Sequence, residues 1–250
     1  MMEVTILAVL QGIAEFLPVS SSGHLVIGQH LLGINAPGMR LDVFLHVGTL
    51  ISIFVYYASS VFGILRRREW RYALKIALSA LPAVAVYFLF KDFIDGMFDN
   101  AKMVGALLMF TGAVLIGTRY LPRGSRDVSF LRALLMGAGQ ALALLPGVSR
   151  SGMTLAFARG GKVEPEKAAE FSFLMSAPLI AGAALLELVK GGGAAQQGEL
   201  SWGLTVYGCV LSAIVGYGAL KLLVKSLKSR WFWLFGPYCI VAGLLTLVFC

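Results

Sequence analysis

The chain has 250 residues, of which 58% are hydrophobic and only 14% are charged. With a mean hydropathy of +0.81, this composition excludes an ordinary soluble globular domain and predicts an integral membrane protein. The net charge of +8 does not indicate nucleic-acid binding, because the basic residues cluster beside apolar segments, where they set membrane orientation.

Two apolar stretches are each interrupted near the middle, whereas six others are continuous. The first stretch lies at residues 5–33 and is cut by Pro18 and by Ser20–Ser22. The second lies at residues 131–160 and is cut by Pro146-Gly147 and by two further serines. Three continuous segments, each long enough to cross about 30 Å of hydrocarbon, follow each stretch; the six occur at 41–58, 72–90, 102–118, 167–189, 202–220 and 231–250.

The interrupted stretches are too short on either side of the break to cross a bilayer. Proline removes a backbone donor and ends a helix, and serine favours the start of a new one. Each half is then about 12 residues long, short of the roughly 20 that a spanning helix needs. We therefore predict two re-entrant helix–loop–helix hairpins, at 5–33 and 131–160, whose broken backbone reaches membrane depth where protein or water covers it.

A sequence repeat relates the two interrupted stretches. The segment Gln11–His24 aligns without a gap on Gln140–Met153, and both copies carry a Gln, a central Pro and the pattern Val-Ser-x-Ser-Gly. Only the first copy contains Glu15 and His24, and only the second contains Arg150. A duplicated scaffold with an acid in one copy and a base in the other predicts a composite anion-handling site between the halves.

The charges of the loops predict the topology. Arginine and lysine are concentrated in segments 59–71, 119–132 and 221–230, which the positive-inside rule assigns to the cytoplasm. Segments 91–101 and 190–200 lack that excess and are assigned to the outside. The six spans agree with these loop assignments only if both hairpins return to the side of the membrane from which they enter.

We therefore predict an all-α integral membrane protein with an inverted-topology repeat. It has six transmembrane helices and two re-entrant hairpins whose tips meet near the bilayer midplane. The first repeat, residues 1–120, comprises the hairpin 5–33 and three spans. The second, residues 121–250, comprises the hairpin 131–160 and three spans inserted upside down. Both termini are expected outside, with half-helix N-termini directed at an anionic ligand.

Gln11 and Glu15 lie four residues apart, and therefore on one face of the first half-helix. A carboxylate in hydrocarbon costs about 2.5 to 3.5 kcal/mol on insertion scales, so packing alone does not explain Glu15. We interpret it as a carboxylate that binds a divalent cation with help from Gln11, or that moves protons. The alternative is a structural glutamate satisfied by a hydroxyl or by Arg150.

Three serines, Ser20, Ser21 and Ser22, lie where the second half-helix begins, and His24 follows within one turn. Free amides and the helix dipole at this position favour a bound phosphate. Ser21 and His24 are both candidate nucleophiles, since a neutral histidine attacks phosphorus directly and a serine needs an adjacent base. We favour Ser21, with His24 orienting the phosphate or transferring the proton.

Arg150 occupies the tip of the second hairpin, between Ser149 and Ser151, with Thr154 one turn later. Its planar fork is suited to two oxygens of one phosphate. We predict that these four residues bind phosphate. A histidine elsewhere, His46 on the third apolar segment, has a methionine as its repeat partner and is interpreted as packed or cavity-lining.

These motifs resemble a known family. Gln11–His24 and Pro146–Thr154 are similar to the two signature motifs of the bacterial undecaprenyl-diphosphate phosphatases of the bacitracin-resistance type. The first motif has an acid or Gln, three residues and then Glu; the second reads Pro-Gly-x-Ser-Arg-Ser-x-x-Thr. The resemblance extends over the whole chain in length, span count and motif placement. At the first position of this motif the family has an acid or Gln, and this chain has the uncharged Gln11. Any bound metal would therefore depend more on Glu15.

The resemblance implies removal of the terminal phosphate from undecaprenyl diphosphate, a polyprenyl diphosphate lipid, to give the carrier for peptidoglycan synthesis. It implies a multi-pass protein of the bacterial cytoplasmic membrane, with the site open to the outer face and a divalent cation, Mg or Ca, as cofactor. The competing hypothesis is a secondary transporter or flippase of a lipid phosphate, because transporters also have inverted repeats and broken helices. The clustered Ser, His and Glu beside an Arg favour chemistry. The sequence leaves a homodimer open.

Overall fold

The computed structural model describes residues 1–32, 39–98, 100–191, 201–228 and 231–249. Within these ranges the protein is all-helical, without a β-strand. The α-helices are α1 (Met2–Ala14), α2 (Ser21–Leu32), α3 (Met39–Tyr56), α4 (Ala58–Arg66), α5 (Trp70–Met97), α6 (Ala101–Gly117), α7 (Phe130–Leu142), α8 (Arg150–Gly160), α9 (Pro165–Gly191), α10 (Trp202–Lys228) and α11 (Phe235–Phe249). Short 3-10 turns at Thr118–Tyr120 and Phe232–Leu234 extend α6 and precede α11.

Four helical segments of the described chain are long and apolar enough to cross a membrane: 70–97, 101–120, 202–227 and 232–249. Helices α3 and α4 give a fifth if the pair, bent by 69°, counts as one span. The predicted span at 167–189 falls on α9, and its residues 186–189 lie outside those whose side chains are described. The described part of the chain is therefore all-α with four to five candidate spans, and the count of six stays a prediction.

Each interrupted stretch forms two short helices with the break at the residues that the sequence indicated. Helix α1 ends at Ala14 and α2 begins at Ser21, while α7 ends at Leu142 and α8 begins at Arg150. At the first break Ser20 has a φ of 68°, and at the second Gly147 has a φ of 94°. Both values lie in the left-handed region, which an α-helix cannot accommodate.

The bend between α3 and α4 contains no proline or glycine, so the sequence did not predict it. Tyr57 leaves the helical region there, with φ −99° and ψ 22°. The turn brings α4 toward α9, where Ser60 donates a hydrogen bond to the Glu170 carboxylate at 3.0 Å. The sequence predicted a continuous span over 41–58, and this long-range polar contact accompanies its break.

The helices pack in pairs drawn from both halves of the chain. Helix α1 packs on α10 and α7 packs on α5, while α3 contacts α9 and α6 contacts α11. The α6–α11 pair is especially close, since a Cβ placed on Gly112 would lie 2.7 Å from the carbonyl oxygen of Gly236. Small residues that let two backbones approach are typical of helix pairs in membranes.

A buried aromatic contact fixes the chain beside the first break. Phe16 and Phe173 are both buried, and their rings meet edge to face with centroids 5.5 Å apart. Edge-to-face pairs of this kind contribute beyond their buried area. Because Phe16 directly follows Glu15, this contact with α9 holds the carboxylate in position.

Candidate active site

The tips of the two helix–turn–helix units touch one another. A Cβ on Gly23 would lie 3.1 Å from the Cα of Gly147 on the opposite tip. The hydroxyl of Ser151 crosses between the tips and donates to the carbonyl oxygen of Leu17 at 3.1 Å. The sequence repeat therefore corresponds to two backbone breaks that face each other, with α2 and α8 both beginning at the contact.

Glu15 is the centre of a buried polar cluster at this contact. Its Oε1 pairs with Nη2 of Arg150, which is the first residue of α8. Its Oε2 accepts hydrogen bonds from the Ser21 hydroxyl at 2.6 Å and from Nε2 of Gln11 at 3.0 Å. Gln11 reaches the carboxylate because it lies one turn earlier on the same helical face. The acid and the base that the two copies carry separately thus form one ion pair.

The cluster opens into a cavity of about 350 Å³. Its polar lining includes Glu15, Ser21, Ser22 and Arg150. Its apolar wall is formed by the loop that follows α7, by Val43 of α3 and by Leu179 and Ile180 of α9. A cavity with a charged end and an apolar wall suits a ligand that joins a phosphate to a hydrocarbon chain.

The other predicted phosphate-binding hydroxyls have partners within the protein. Ser20 and Ser149 cap α2 and α8, accepting from the amides of residues 23 and 152 at 3.3 and 3.1 Å. The Ser151 hydroxyl donates to the Leu17 carbonyl oxygen of the other tip, and the hydroxyls of Thr154 and Ser172 are hydrogen-bonded at 2.6 Å. All four are buried and absent from the described lining of the cavity. The structure gives them a role in holding the tips, and their contact with phosphate stays a prediction.

His24 lies away from the Glu15 cluster. Its Nδ1 is 2.9 Å from the carbonyl oxygen of Ser20, and its Nε2 is 2.8 Å from the hydroxyl of Tyr238 on α11. The two rings also stack, with centroids 5.7 Å apart. His24 does not line the cavity among the residues described. The geometry therefore brings Ser21, and not His24, to the carboxylate.

Three cavity residues were absent from the predicted site set, although His46 was interpreted as packed or cavity-lining. His46 places Nε2 3.6 Å from Oε2 of Glu15, while its Nδ1 is held 2.7 Å from the carbonyl oxygen of Asp42. Asp42 and Gln140 also line the cavity. The available signals were the spacing of four between Asp42 and His46 and the repeat position of Gln140, which matches Gln11.

Gln140 is notable because its side chain is buried and, among the described residues, neither its Nε2 nor its Oε1 has a hydrogen-bond partner. An unsatisfied buried amide costs about 1 to 3 kcal/mol. A ligand with acceptor oxygens in the cavity would satisfy its donors. The orphaned amide is therefore an independent indication of a polar ligand at this place.

A divalent cation is compatible with the donors present, provided that the ligand supplies further oxygens. Within the described ranges no group of three or more His, Cys, Asp and Glu side chains could hold a metal alone. Glu15 and Asp42 share the cavity, and the buried Oε1 of Gln11 has no partner among described atoms. Mg²⁺ is typically held by one or two carboxylates together with substrate phosphates. The site fits that arrangement.

The all-α fold, with four to five candidate spans among the described residues, defines a multi-pass membrane protein, and the Glu15–Arg150–Ser21 cluster lies where its two helix tips meet. Comparison of the sequence with protein families gives the particular one. Residues 4–245 match the family described as Bacitracin resistance protein BacA, and the chain belongs to it.

Curated relatives align over nearly the full length of the chain. A protein of Halothermothrix orenii named undecaprenyl-diphosphatase is 36% identical, covering 98% of this chain and 96% of the relative. A protein of Desulfosudis oleivorans with the same name is 38% identical, covering 97% and 96%. Undecaprenyl-diphosphatase 3 of Bacillus cereus is 34% identical, covering 99% and 96%.

Proposed function

We propose that this chain hydrolyses undecaprenyl diphosphate to undecaprenyl phosphate and inorganic phosphate. The product is the lipid carrier of peptidoglycan synthesis, and its supply underlies the bacitracin resistance for which the family is named. Membership of the family and the names of the relatives support the substrate. The observation that carries the chemistry is the Ser21 hydroxyl hydrogen-bonded to a buried carboxylate that an arginine also contacts.

Ser21 is the proposed nucleophile. Its Oγ attacks the terminal phosphorus and its proton passes to Oε2 of Glu15, 2.6 Å away. A bond forms between Oγ and phosphorus, and the bond from phosphorus to the bridging oxygen breaks, which releases the lipid monophosphate. Water then hydrolyses the phosphoserine and frees inorganic phosphate. A weak hydroxyl nucleophile needs such an adjacent base.

Arg150 is proposed to bind the transferring phosphoryl group while it contacts Glu15. The guanidinium carries several donors in one plane, so one edge can stay on the carboxylate while another faces phosphate oxygens. Its charge opposes the negative charge that is spread over the equatorial oxygens in the transition state. Gln140, in the same half of the chain as Arg150, contributes further donors.

His24 is proposed to position Ser21 by holding the backbone beside it. Its Nδ1 lies at the carbonyl oxygen of Ser20, the residue before the nucleophile, and its other nitrogen is anchored on Tyr238. This arrangement supports the backbone at the tip, so that loss of His24 displaces Ser21. The alternative, that the imidazole itself attacks phosphorus, requires it to leave Tyr238.

A divalent cation, Mg or Ca, is proposed to assist. Glu15 and Gln11 would hold it, with Asp42 on the same cavity wall. When bound, such a cation supplies positive charge to the diphosphate oxygens and orients the two phosphates. The chain's own residues perform the proton transfer and the attack.

The six-span inverted repeat is proposed as the membrane arrangement. In this arrangement α1 corresponds to α7, α2 to α8, α3 together with α4 to α9, α5 to α10 and α6 to α11. Exchange of the two halves then converts the α1–α10 contact into the α7–α5 contact. The α3–α9 and α6–α11 contacts map onto themselves, as a two-fold relation requires. We further propose residence in the bacterial cytoplasmic membrane with the cavity open to the outer face.

The decisive experiment measures release of inorganic phosphate from undecaprenyl diphosphate by the purified chain in detergent. Release by the native protein and its loss in Ser21→Ala are expected, with Ser59→Ala, at an exposed position outside the Glu15 cavity, as a hydroxyl control. A protein that only transports the lipid would release none. An acid-labile, base-stable phosphoprotein that persists in Ser21→Ala would identify histidine as the nucleophile and overturn the assignment of Ser21.

A further inference from the structure

A second cavity is separate from the one beside Glu15. It has a volume of about 480 Å³ and is lined by Arg119, Leu121, Arg123, Arg159 and Trp233. It forms where the 3-10 turn after α6, the C-terminal end of α8 and the 3-10 turn before α11 come together. It shares no described lining residue with the Glu15 cavity. The reaction proposed above does not use it.

Two of its arginines are held in place by neighbouring groups. Arg159 donates from both Nε and Nη2 to the carbonyl oxygen of Leu121, at 3.2 and 3.0 Å. The guanidinium of Arg119 lies over the ring of Trp233, 4.7 Å from its centroid. A carbonyl and an aromatic face orient guanidinium groups without neutralising them.

The lining of this cavity is rich in basic side chains. Three of its lining side chains are arginines, and none of the described lining residues is acidic. Partial burial, together with the nearby charge of Arg123, lowers the pKa of the Arg159 guanidinium. Like charges gathered at one cavity raise its potential and favour an anion that bridges them.

Aromatic residues beside the cavity indicate its depth. Tyr120, the last residue of the first 3-10 turn, is 81% exposed, and Trp231, which directly precedes the second, is 63% exposed. Tyrosine and tryptophan are enriched at membrane–water interfaces, where lipid headgroups lie. The surrounding segments 119–132 and 221–230 are the basic loops that the positive-inside rule assigns to the cytoplasm. The cavity therefore opens at the headgroup level of the inner leaflet.

We propose that this cavity binds the phosphate group of an anionic phospholipid headgroup. Guanidinium groups pair with two phosphate oxygens at once, and basic pockets between membrane helices bind lipid headgroups. The indole of Trp233 supplies an amphipathic surface for the neighbouring glycerol. The inference does not depend on the hydrolytic activity, since the two cavities have no described lining residue in common.

The test is native mass spectrometry of the full chain in a zwitterionic detergent, titrated with phosphatidylglycerol and, separately, with phosphatidylcholine. The native protein is expected to retain phosphatidylglycerol preferentially. The double variant Arg119→Gln with Arg159→Gln should bind it roughly 30-fold more weakly, from the usual contribution of two basic residues at an anionic headgroup. The control, Arg66→Gln with Arg71→Gln, removes the same charge from exposed positions outside the cavity and should bind as the native chain does.

Two safeguards make the result decisive. If the double variant does not fold, Arg119→Gln alone keeps the Arg159–Leu121 hydrogen bonds and should weaken binding about 5-fold, from one basic residue. A parallel titration with millimolar inorganic phosphate separates the two sources of the anion. Displacement of the lipid by free phosphate at equal concentration would overturn the lipid assignment, and equal binding by the double variant and its control would overturn the site.

Discussion

Replacement of Arg150 by lysine tests the central interaction of the proposed site. The change preserves one positive charge next to Glu15, whose side chain is only 3% exposed. An ammonium is a compact charge, however, whereas a guanidinium presents a planar fork. A lysine at this position can satisfy the buried carboxylate or contact the phosphate, but it cannot match the fork on both.

The expected magnitude follows from these two contacts. Because the charge pair with Glu15 is kept, the large penalty of about 3 to 5 kcal/mol for an uncompensated buried charge is avoided, and Arg150→Lys should fold. The lost transition-state contact resembles removal of one strong oxyanion donor, about 2.7 to 4 kcal/mol. This corresponds to a decrease in kcat of on the order of 100- to 1,000-fold.

The assay is phosphate release from undecaprenyl diphosphate by purified Arg150→Lys, with thermal unfolding measured on the same sample. Arg66→Lys, at an exposed position outside both cavities, is the matched control and should behave as the native chain. Near-native turnover in Arg150→Lys would refute the reasoning and assign Arg150 to the ion pair alone. A decrease in turnover accompanied by a large loss of stability would also count against a specific catalytic contact.

Three further results are expected. Glu15→Gln should abolish phosphate release and leave no response to Mg²⁺ or Ca²⁺ in a chelator titration; activity of the native chain in excess chelator would contradict the metal proposal. Gln140→Leu should raise KM and leave the free energy of unfolding unchanged or higher, because it removes an unsatisfied buried amide; an unchanged KM would remove Gln140 from the binding set. In a chain without its native cysteines, Arg66→Cys should be labelled from the cytoplasm and Asp95→Cys from outside, and labelling of both from one side would contradict the inverted repeat.

Backbone breaks and the pairing of opposite charges could be predicted from the sequence because local chemistry determines them. Pro18 and Pro146 each remove a backbone donor and are followed by serines that favour a new helix start, so both breaks were located correctly. Pro82 and Pro178 have no serine after them and lie inside α5 and α9. Glu15 and Arg150 are ionisable residues placed at those breaks, and burial in an apolar protein requires each to find a partner. Their contact is the pairing that the structural alternative for Glu15 described, and it is equally compatible with the catalytic interpretation.

The remaining features depend on contacts between distant parts of the chain. Spacing alone placed His24 beside the serines, but its ring is turned toward Tyr238, which lies 214 residues away on α11. His46 reaches Glu15 because α3 packs against α1. No local sequence pattern predicts that packing. The bend at Tyr57 likewise accompanies a contact between α4 and α9. The residues at a helix break can be identified from the local sequence. The direction in which their side chains point depends on which helices pack together.

The Glu15–Arg150 pair also has a consequence for biosynthesis. The two residues are 135 positions apart in the chain, so at about 5 to 20 residues per second the ribosome adds Arg150 roughly 7 to 27 s after Glu15. During that interval the acid emerges without its base, and a charged carboxylate resists transfer into lipid. The first tip must therefore wait at the translocon or the membrane surface, protonated or hydrated, until the second is made. A chain truncated before α8 therefore leaves the Glu15 carboxylate without the arginine that it contacts in the folded protein.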